Sequence, residues 1–318
     1  MIALYISVGV AALLLFSLLL LSYYTYRRAF YADRSHDLDP YGRIDMKSHK
    51  PYKDEIRSLI DNLVSLPCER VSINARDGVR LSARYYHTGA GAPIVILAHG
   101  YRGNSLRDFA GGADMFLKMG YNLLLIDHRA HGDSGGKVIS FGIRERFDVC
   151  DWAAYATDRF GEDSEILLAG ISMGGACVLM AAGEDLPDTV KGVLADCPYS
   201  SPLGIIARVG TKKGVPDTLV RIFAITGARF FAKFALNEAS ALTAVEKTEL
   251  PILIIHGDAD GFVPLSMSEE LKKKNPSIIL KTVSGADHAV AYLADTEGYI
   301  SEVKRFTEQI LGGQNGNQ

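Results

Sequence analysis

Residues Gly170-Ile171-Ser172-Met173-Gly174 follow the apolar run Ile166 to Ala169 and precede a helix-like stretch that begins at Met173. A serine with glycine two places away on either side predicts a tight turn from strand to helix, since larger side chains would collide across the bend. Its hydroxyl would stand at a helix amino terminus, where anionic charge is favoured. The pattern is weak alone, and the strand and helix around it make it informative. Gly175 and Ala176 continue the path of small residues.

Serine is a poor nucleophile unless a histidine takes its proton and a carboxylate orients that histidine. Downstream, in the order serine, acid, histidine, the chain offers both. The run Ile252 to Ile255 leads into His256-Gly257-Asp258-Ala259-Asp260-Gly261-Phe262-Val263-Pro264, which holds two acids. The run Ile278 to Val283 leads into Ser284-Gly285-Ala286-Asp287-His288-Ala289, and His288 is the only histidine beyond that loop. A nucleophile of this kind also needs two donors for an oxyanion, and the backbone N–H of Met173 is the expected first one.

The surrounding runs predict the fold class. Val71 to Asn74 and Val79 to Tyr86 alternate around Arg76-Asp77-Gly78, a hairpin signal. Then come short, mostly apolar runs at Ile94 to Ala98, Asn122 to Ile126, Ile166 to Ala169, Val190 to Ala195, Ile252 to Ile255 and Ile278 to Val283. Helix-length patterns at 107–119, 143–160 and 173–184 lie between them. Continuous apolar strands alternating with helices imply a mostly parallel central sheet covered on both faces. The interval 199–249 breaks the rhythm with helical apolar spacing (Leu219, Ile222, Phe223, Phe230, Phe231, Phe234) and predicts a small helical cap.

With these motifs in place, the chain resembles the α/β-hydrolase superfamily of serine esterases, lipases and peptidases over roughly Val71 to Leu311. The resemblance implies a Ser172, Asp260, His288 triad, because the second acid of the H-G-x-x-D-x-x-V-P stretch is the usual triad member. Asp258 then becomes a turn residue, and Asp196, after the preceding strand, remains a minority contender. His99-Gly100-Tyr101-Arg102-Gly103 resembles the family's H-G-x-x-G turn, so the backbone N–H of Tyr101 is the implied second oxyanion donor. Gly100, Gly170 and Gly174 support these turns. The segment Asp127 to Gly136, with two histidines, resembles a structural R-G-H-G-x-S turn carrying Ala130 in place of glycine. No metal spacing or cofactor motif is present, and neither a metal nor a cofactor is expected.

The chain has 318 residues with 34 Lys or Arg and 37 Asp or Glu, a net charge of −3, which argues against a nucleic-acid partner. The first 26 residues carry no charge, and Ile2 to Leu21 is long enough to cross a bilayer, so residues 1–24 are read as a transmembrane anchor. Arg27, Arg28, Arg34, Arg43, Lys47 and Lys50 follow it, which places the body on the cytoplasmic side. Residues 25–69 read as a juxtamembrane connector with a short amphipathic helix that carries Ile56, Ile60, Leu63 and Val64 on one face, residues 70–312 as the hydrolase domain, and 313–318 as a tail. Four cysteines without paired spacing agree with a reducing compartment.

The expected activity is hydrolysis of carboxylic esters through an acyl-enzyme, on apolar or lipid-like substrates that meet the phenylalanine-rich cap. A thioesterase or a serine peptidase on the same fold is the alternative within the class. A catalytically silent membrane-tethered binding protein is the alternative outside it.

Overall fold

The apolar runs form buried strands in the computed structural model, which describes residues 1–32, 39–42 and 44–311. Arg34, Arg43 and the expected 313–318 tail lie outside the described residues. β1 (Glu69–Asn74) and β2 (Arg80–Tyr86) form the expected hairpin, turned by Gly78 at φ +82°. β3 (Ile94–Ala98), β4 (Asn122–Asp127), β5 (Ile166–Ile171) and β7 (Ile252–Gly257) are buried at every position, and β6 (Val190–Asp196) at every position but Lys191. β8 (Ile279–Val283) closes the sheet in the order β1-β2-β4-β3-β5-β6-β7-β8. Pairing is antiparallel from β1 to β4 through β2 and parallel from there on. This is the α/β-hydrolase fold, a mostly parallel sheet flanked by helices.

Strands that point alternate side chains to opposite faces must be covered twice. In β3, Ile94, Ile96 and Ala98 enter one core while Val95 and Leu97 enter the other. The covering helices are α3 (Ser105–Asp108), α4 (Ala110–Lys118), α5 (Glu145–Phe160), α6 (Met173–Ala181), α10 (Leu265–Lys274), α11 (Ala291–Ala294) and α12 (Thr296–Ile310). The single helix expected at 107–119 is two, divided at Phe109. All nine residues of α6 are buried, so the helix after Ser172 has no polar face.

Between β6 and β7 lie α7 (Pro202–Lys212), α8 (Asp217–Gly227), a π-helical turn at Ala228–Ala232 and α9 (Ala241–Val245). At the amino end, α1 (Ile2–Thr25) continues through a π-helical turn, Tyr26–Phe30. The whole stretch Ile2–Phe30 has mean hydropathy 2.6 in its most apolar window, long and apolar enough to cross a membrane. α2 (Lys53–Ser65) follows, burying Ile56, Ile60 and Leu63. Val64, grouped with them on one face by the sequence, is 52% exposed. It lies about 80° around the helix from Ile56, at the margin of the buried stripe.

Candidate active site

Ser172 directly follows β5 and caps α6 with φ 55° and ψ −114°, a conformation that costs a non-glycine residue on the order of 1–3 kcal/mol. The turn is held by the Ser172 N–H, which donates to the Asp196 carbonyl at 2.8 Å. Its glycines are needed for space. A Cβ on Gly170 would lie 2.3 Å from the Gly174 backbone, and one on Gly174 would lie 1.7 Å from the Ala98 carbonyl oxygen. Strand β3 and helix α6 therefore approach so closely that only glycine fits.

Across 116 residues of sequence, Ser172 Oγ comes within 2.9 Å of His288 Nε2. Nδ1 of His288 lies 2.7 Å from Asp260 Oδ2. All three residues are buried. The second oxygen of Asp260 accepts the N–H groups of Phe262 and Val263, each at 2.8 Å, and His256 Nε2 lies 3.4 Å from Oδ2. Burial alone would raise the Asp260 pKa, but bonds from His256, His288 and the Phe262 N–H outweigh it and hold the carboxyl well below the usual carboxylate range. Asp260 is a fixed anion aimed at an imidazole.

The other two acids are placed differently. Asp258 is exposed, and its Oδ1 accepts the Gly285 N–H at 2.7 Å, so it ties two loops together. Asp196 is buried beside the cavity, and its Oδ1 has no hydrogen-bond partner among the described residues. Burial pushes its pKa up to about 6. Asp287 accepts the N–H groups of Gly261 and His288 and so joins the acid loop to the histidine loop.

Gly100 stands against the serine, and Tyr101 follows it in the same turn. A Cβ on Gly100 would be 3.5 Å from the Ser172 Cβ, and the Gly100 N–H donates to Asp108 Oδ2 at 2.9 Å. Asp108 is paired in turn with Arg107 at 2.5 Å. His99 supports the turn from behind: its Nε2 accepts the His128 N–H at 3.1 Å, leaving Nδ1 to donate to the Gly100 carbonyl at 2.8 Å. His131 Nε2 accepts the Arg102 N–H at 3.0 Å. The 127–136 segment is thus tied by its side chains into scaffold, with Arg129 bridging Asp148 and Asp77. Met173, fully buried, begins α6 directly after the serine.

Cys197, Asp260 and His288 have donor atoms within 4.8 Å of one another, a spacing a metal ion tolerates. The chemistry of the set does not fit one. Burial pushes the Cys197 thiol well up, away from the thiolate a metal needs, and both Asp260 oxygens already accept bonds.

A cavity of about 1130 Å³ opens over Ser172 and His288. Of the four cap phenylalanines expected to meet substrate, only Phe223 lines it. Phe230 faces out at 57% exposure, Phe231 packs on Tyr23 and Tyr26, and Phe234 is buried against Phe30. Their helical spacing gave no means of telling these fates apart. Sequence reasoning also missed the wall built by Leu21, Tyr24, Thr25 and Ala29, because nothing local in an apolar helix says what its last turns touch.

A family model described as alpha/beta hydrolase fold matches residues 93–224. The chain is similar to the protein YqkD of Bacillus subtilis, 29% identical over 68% of this chain and 71% of that one. It is also similar to the thiohydrolase aneE of Aspergillus aculeatus, 28% identical over 53% of this chain and 52% of the other. Among solved structures, an esterase of Pyrococcus furiosus superposes with a TM-score of 0.66 at 25% identity, covering 79% of this chain and 94% of the esterase.

Proposed function

We propose that this chain, which has the α/β-hydrolase fold and matches that family's model over residues 93–224, is a serine hydrolase that cleaves carboxylic esters with apolar acyl groups while held at a membrane by α1. The observation that carries this reading is the relay Ser172 Oγ to His288 Nε2 at 2.9 Å and His288 Nδ1 to Asp260 Oδ2 at 2.7 Å, at the floor of the cavity. The similarity to a Pyrococcus esterase supports the reaction class.

In this mechanism His288 Nε2 takes the hydroxyl proton as Ser172 Oγ attacks the ester carbonyl carbon. Asp260 stabilises the resulting imidazolium without taking its proton. The carbonyl oxygen becomes an oxyanion held by the backbone N–H groups of Met173 and Tyr101, each worth about 2.7–4 kcal/mol of barrier. His288 then protonates the departing alkoxide, leaving an acyl group on Ser172. Water attacks that acyl carbon with His288 as base, and the acid leaves as Ser172 recovers its proton.

The hydrolase body is read as residues 70–312, with 199–249 as a cap over the cavity. Arg27 and Arg28 at the end of α1 support a cytoplasmic body. The cavity exceeds the usual small-ligand range and is lined by Leu21, Ile205, Ile206 and Val209 beside the reacting groups, which favours a long acyl chain over a peptide. A thioester is the second reading, supported by the similarity to a fungal thiohydrolase.

A panel of p-nitrophenyl esters from acetyl to palmitoyl, run beside acyl thioesters, tests the proposal. Higher kcat/KM with longer chains is expected, and indifference to chain length counts against it. Fluorophosphonate should label the wild-type protein and not Ser172→Ala. Continued labelling of that variant overturns the assignment.

A further inference from the structure

The apolar helix does not end in a loose connector. Ser22 is fully buried although residues 1–16 are exposed, and its carbonyl oxygen would lie 2.7 Å from a Cβ on Gly227 of α8. The two helix backbones therefore touch. Tyr23 and Tyr26 pack on Phe231 with ring centroids 5.2 and 5.9 Å apart. Beyond them Phe30 enters the core between Phe141 and Phe234. The Ile139 N–H donates to the Phe30 carbonyl at 2.8 Å, and the Ala32 N–H to the Lys137 carbonyl at 3.0 Å. The helix is docked, and its attitude to the body is set by packing.

Where it docks matters for the site. Leu21, Tyr24 and Ala29 line the cavity that contains Ser172, together with Ile206, Val209 and Phe223. The last carbonyls of a helix have no intrahelical partners and carry its negative dipole end. Here the turn after β3 covers them. The Tyr101 hydroxyl donates to the Ala29 carbonyl at 2.8 Å, and Arg102 Nη2 donates to the carbonyls of Arg28 and Tyr31, both at 3.0 Å. The Tyr101 ring stacks on Phe141 at 4.9 Å, which fixes its direction. Arg28, Lys212 and Lys213 line the cavity and are exposed, suited to an anionic headgroup layer.

We propose that the C-terminal end of α1 is part of the substrate site. Its last turns form one wall of an acyl channel that leads from the bilayer along α1 to Ser172, and through Tyr101 its carbonyls position the turn that carries the second oxyanion donor. The ligand class is a single-chain acyl ester already resident in a membrane. This inference rests on the serine-hydrolase reading. Tyr101 acts here as a positioning residue by its side chain, in addition to its backbone N–H.

The test uses the full chain in phosphatidylcholine vesicles containing phosphatidylglycerol, with p-nitrophenyl palmitate and p-nitrophenyl acetate as probes. Leu21→Trp should lower the palmitate-to-acetate ratio of kcat/KM at least about tenfold, as expected for a blocked apolar subsite. Leu13→Trp, in the middle of the span, should leave that ratio at the wild-type value. Tyr101→Phe should lower kcat about three- to tenfold with little change in KM, and slow fluorophosphonate labelling in parallel, as loss of one hydrogen bond to a neutral acceptor implies. Equal scaling of both esters by Leu21→Trp, or a Tyr101→Phe effect on KM alone, overturns the inference while labelling of Ser172 leaves the hydrolase reading intact. A wild-type protein that fails to label overturns both.

Discussion

Oδ2 of Asp260 stands 2.7 Å from Nδ1 of His288, and neither Asp258 nor Asp196 makes a hydrogen bond to that imidazole. In the proposed mechanism this contact makes Asp260 the carboxylate that orients the base. Asp260→Asn should lower kcat for ester hydrolysis on the order of 10³- to 10⁴-fold. Asp258→Asn and Asp196→Asn should each stay within roughly an order of magnitude of wild type, because Asp196 holds the serine turn through its backbone carbonyl. Steady-state kinetics on the three variants checks this, and a larger loss in Asp196→Asn than in Asp260→Asn would reverse the assignment.

Ser172 holds a positive φ of 55° that glycine adopts without strain. Ser172→Gly and Ser172→Ala should both lack activity, yet the glycine variant should be more stable than the alanine variant by about 1 kcal/mol. Urea unfolding of the two proteins measures the difference. Equal midpoints would mean the turn stores no backbone strain.

Burial and neighbouring imidazoles hold His128 and His131 well below the ordinary histidine pKa of 6.5, so both are neutral in the fold. Both ring nitrogens of His128 are without a hydrogen-bond partner among the described residues. The unfolded chain binds a proton at each near pH 6.5 while the fold does not, so stability falls as pH drops below that value. Asp196 acts in the opposite direction, since its raised pKa of about 6 lets the fold gain a proton before the unfolded chain does. His128→Phe should therefore flatten the loss between pH 6 and 5 by about 1.4 kcal/mol per pH unit. Asp196→Asn should steepen it. Unfolding curves followed through the buried Trp152 provide the readout.

A Cβ at position 174 would sit 1.7 Å from the Ala98 carbonyl oxygen, against backbone that cannot swing aside. Gly174→Ala should destabilise the protein by roughly 3 kcal/mol or more and leave little folded material. Gly161→Ala makes a useful comparison, because it has open space around it and only the cost of a φ of +96°. A thermal shift at Gly174→Ala no larger than at Gly161→Ala would contradict the packing argument.

Much of the fold was legible because its signals are local. The runs Ile94 to Ala98 and Ile252 to Ile255 could only be strands buried on both faces, and Gly170 and Gly174 bracket a turn that larger residues cannot make. Other readings were less secure for the same reason. Val64 follows the helical spacing of its neighbours but lies at the edge of the buried stripe. Phe230, Phe231 and Phe234 share one apolar pattern, and what each touches depends on α1 and Phe30, some 200 residues away in the chain.

The sequence by itself determined the parallel sheet, the serine turn and the order serine, acid, histidine, because side-chain period and glycine sterics act over a few residues. Only the tertiary structure decided that Asp260 and not Asp258 or Asp196 meets His288, and that the end of an apolar amino-terminal helix walls the cavity and holds Tyr101. Those outcomes depend on distances between groups far apart in the chain, and such distances exist only once the sheet has assembled.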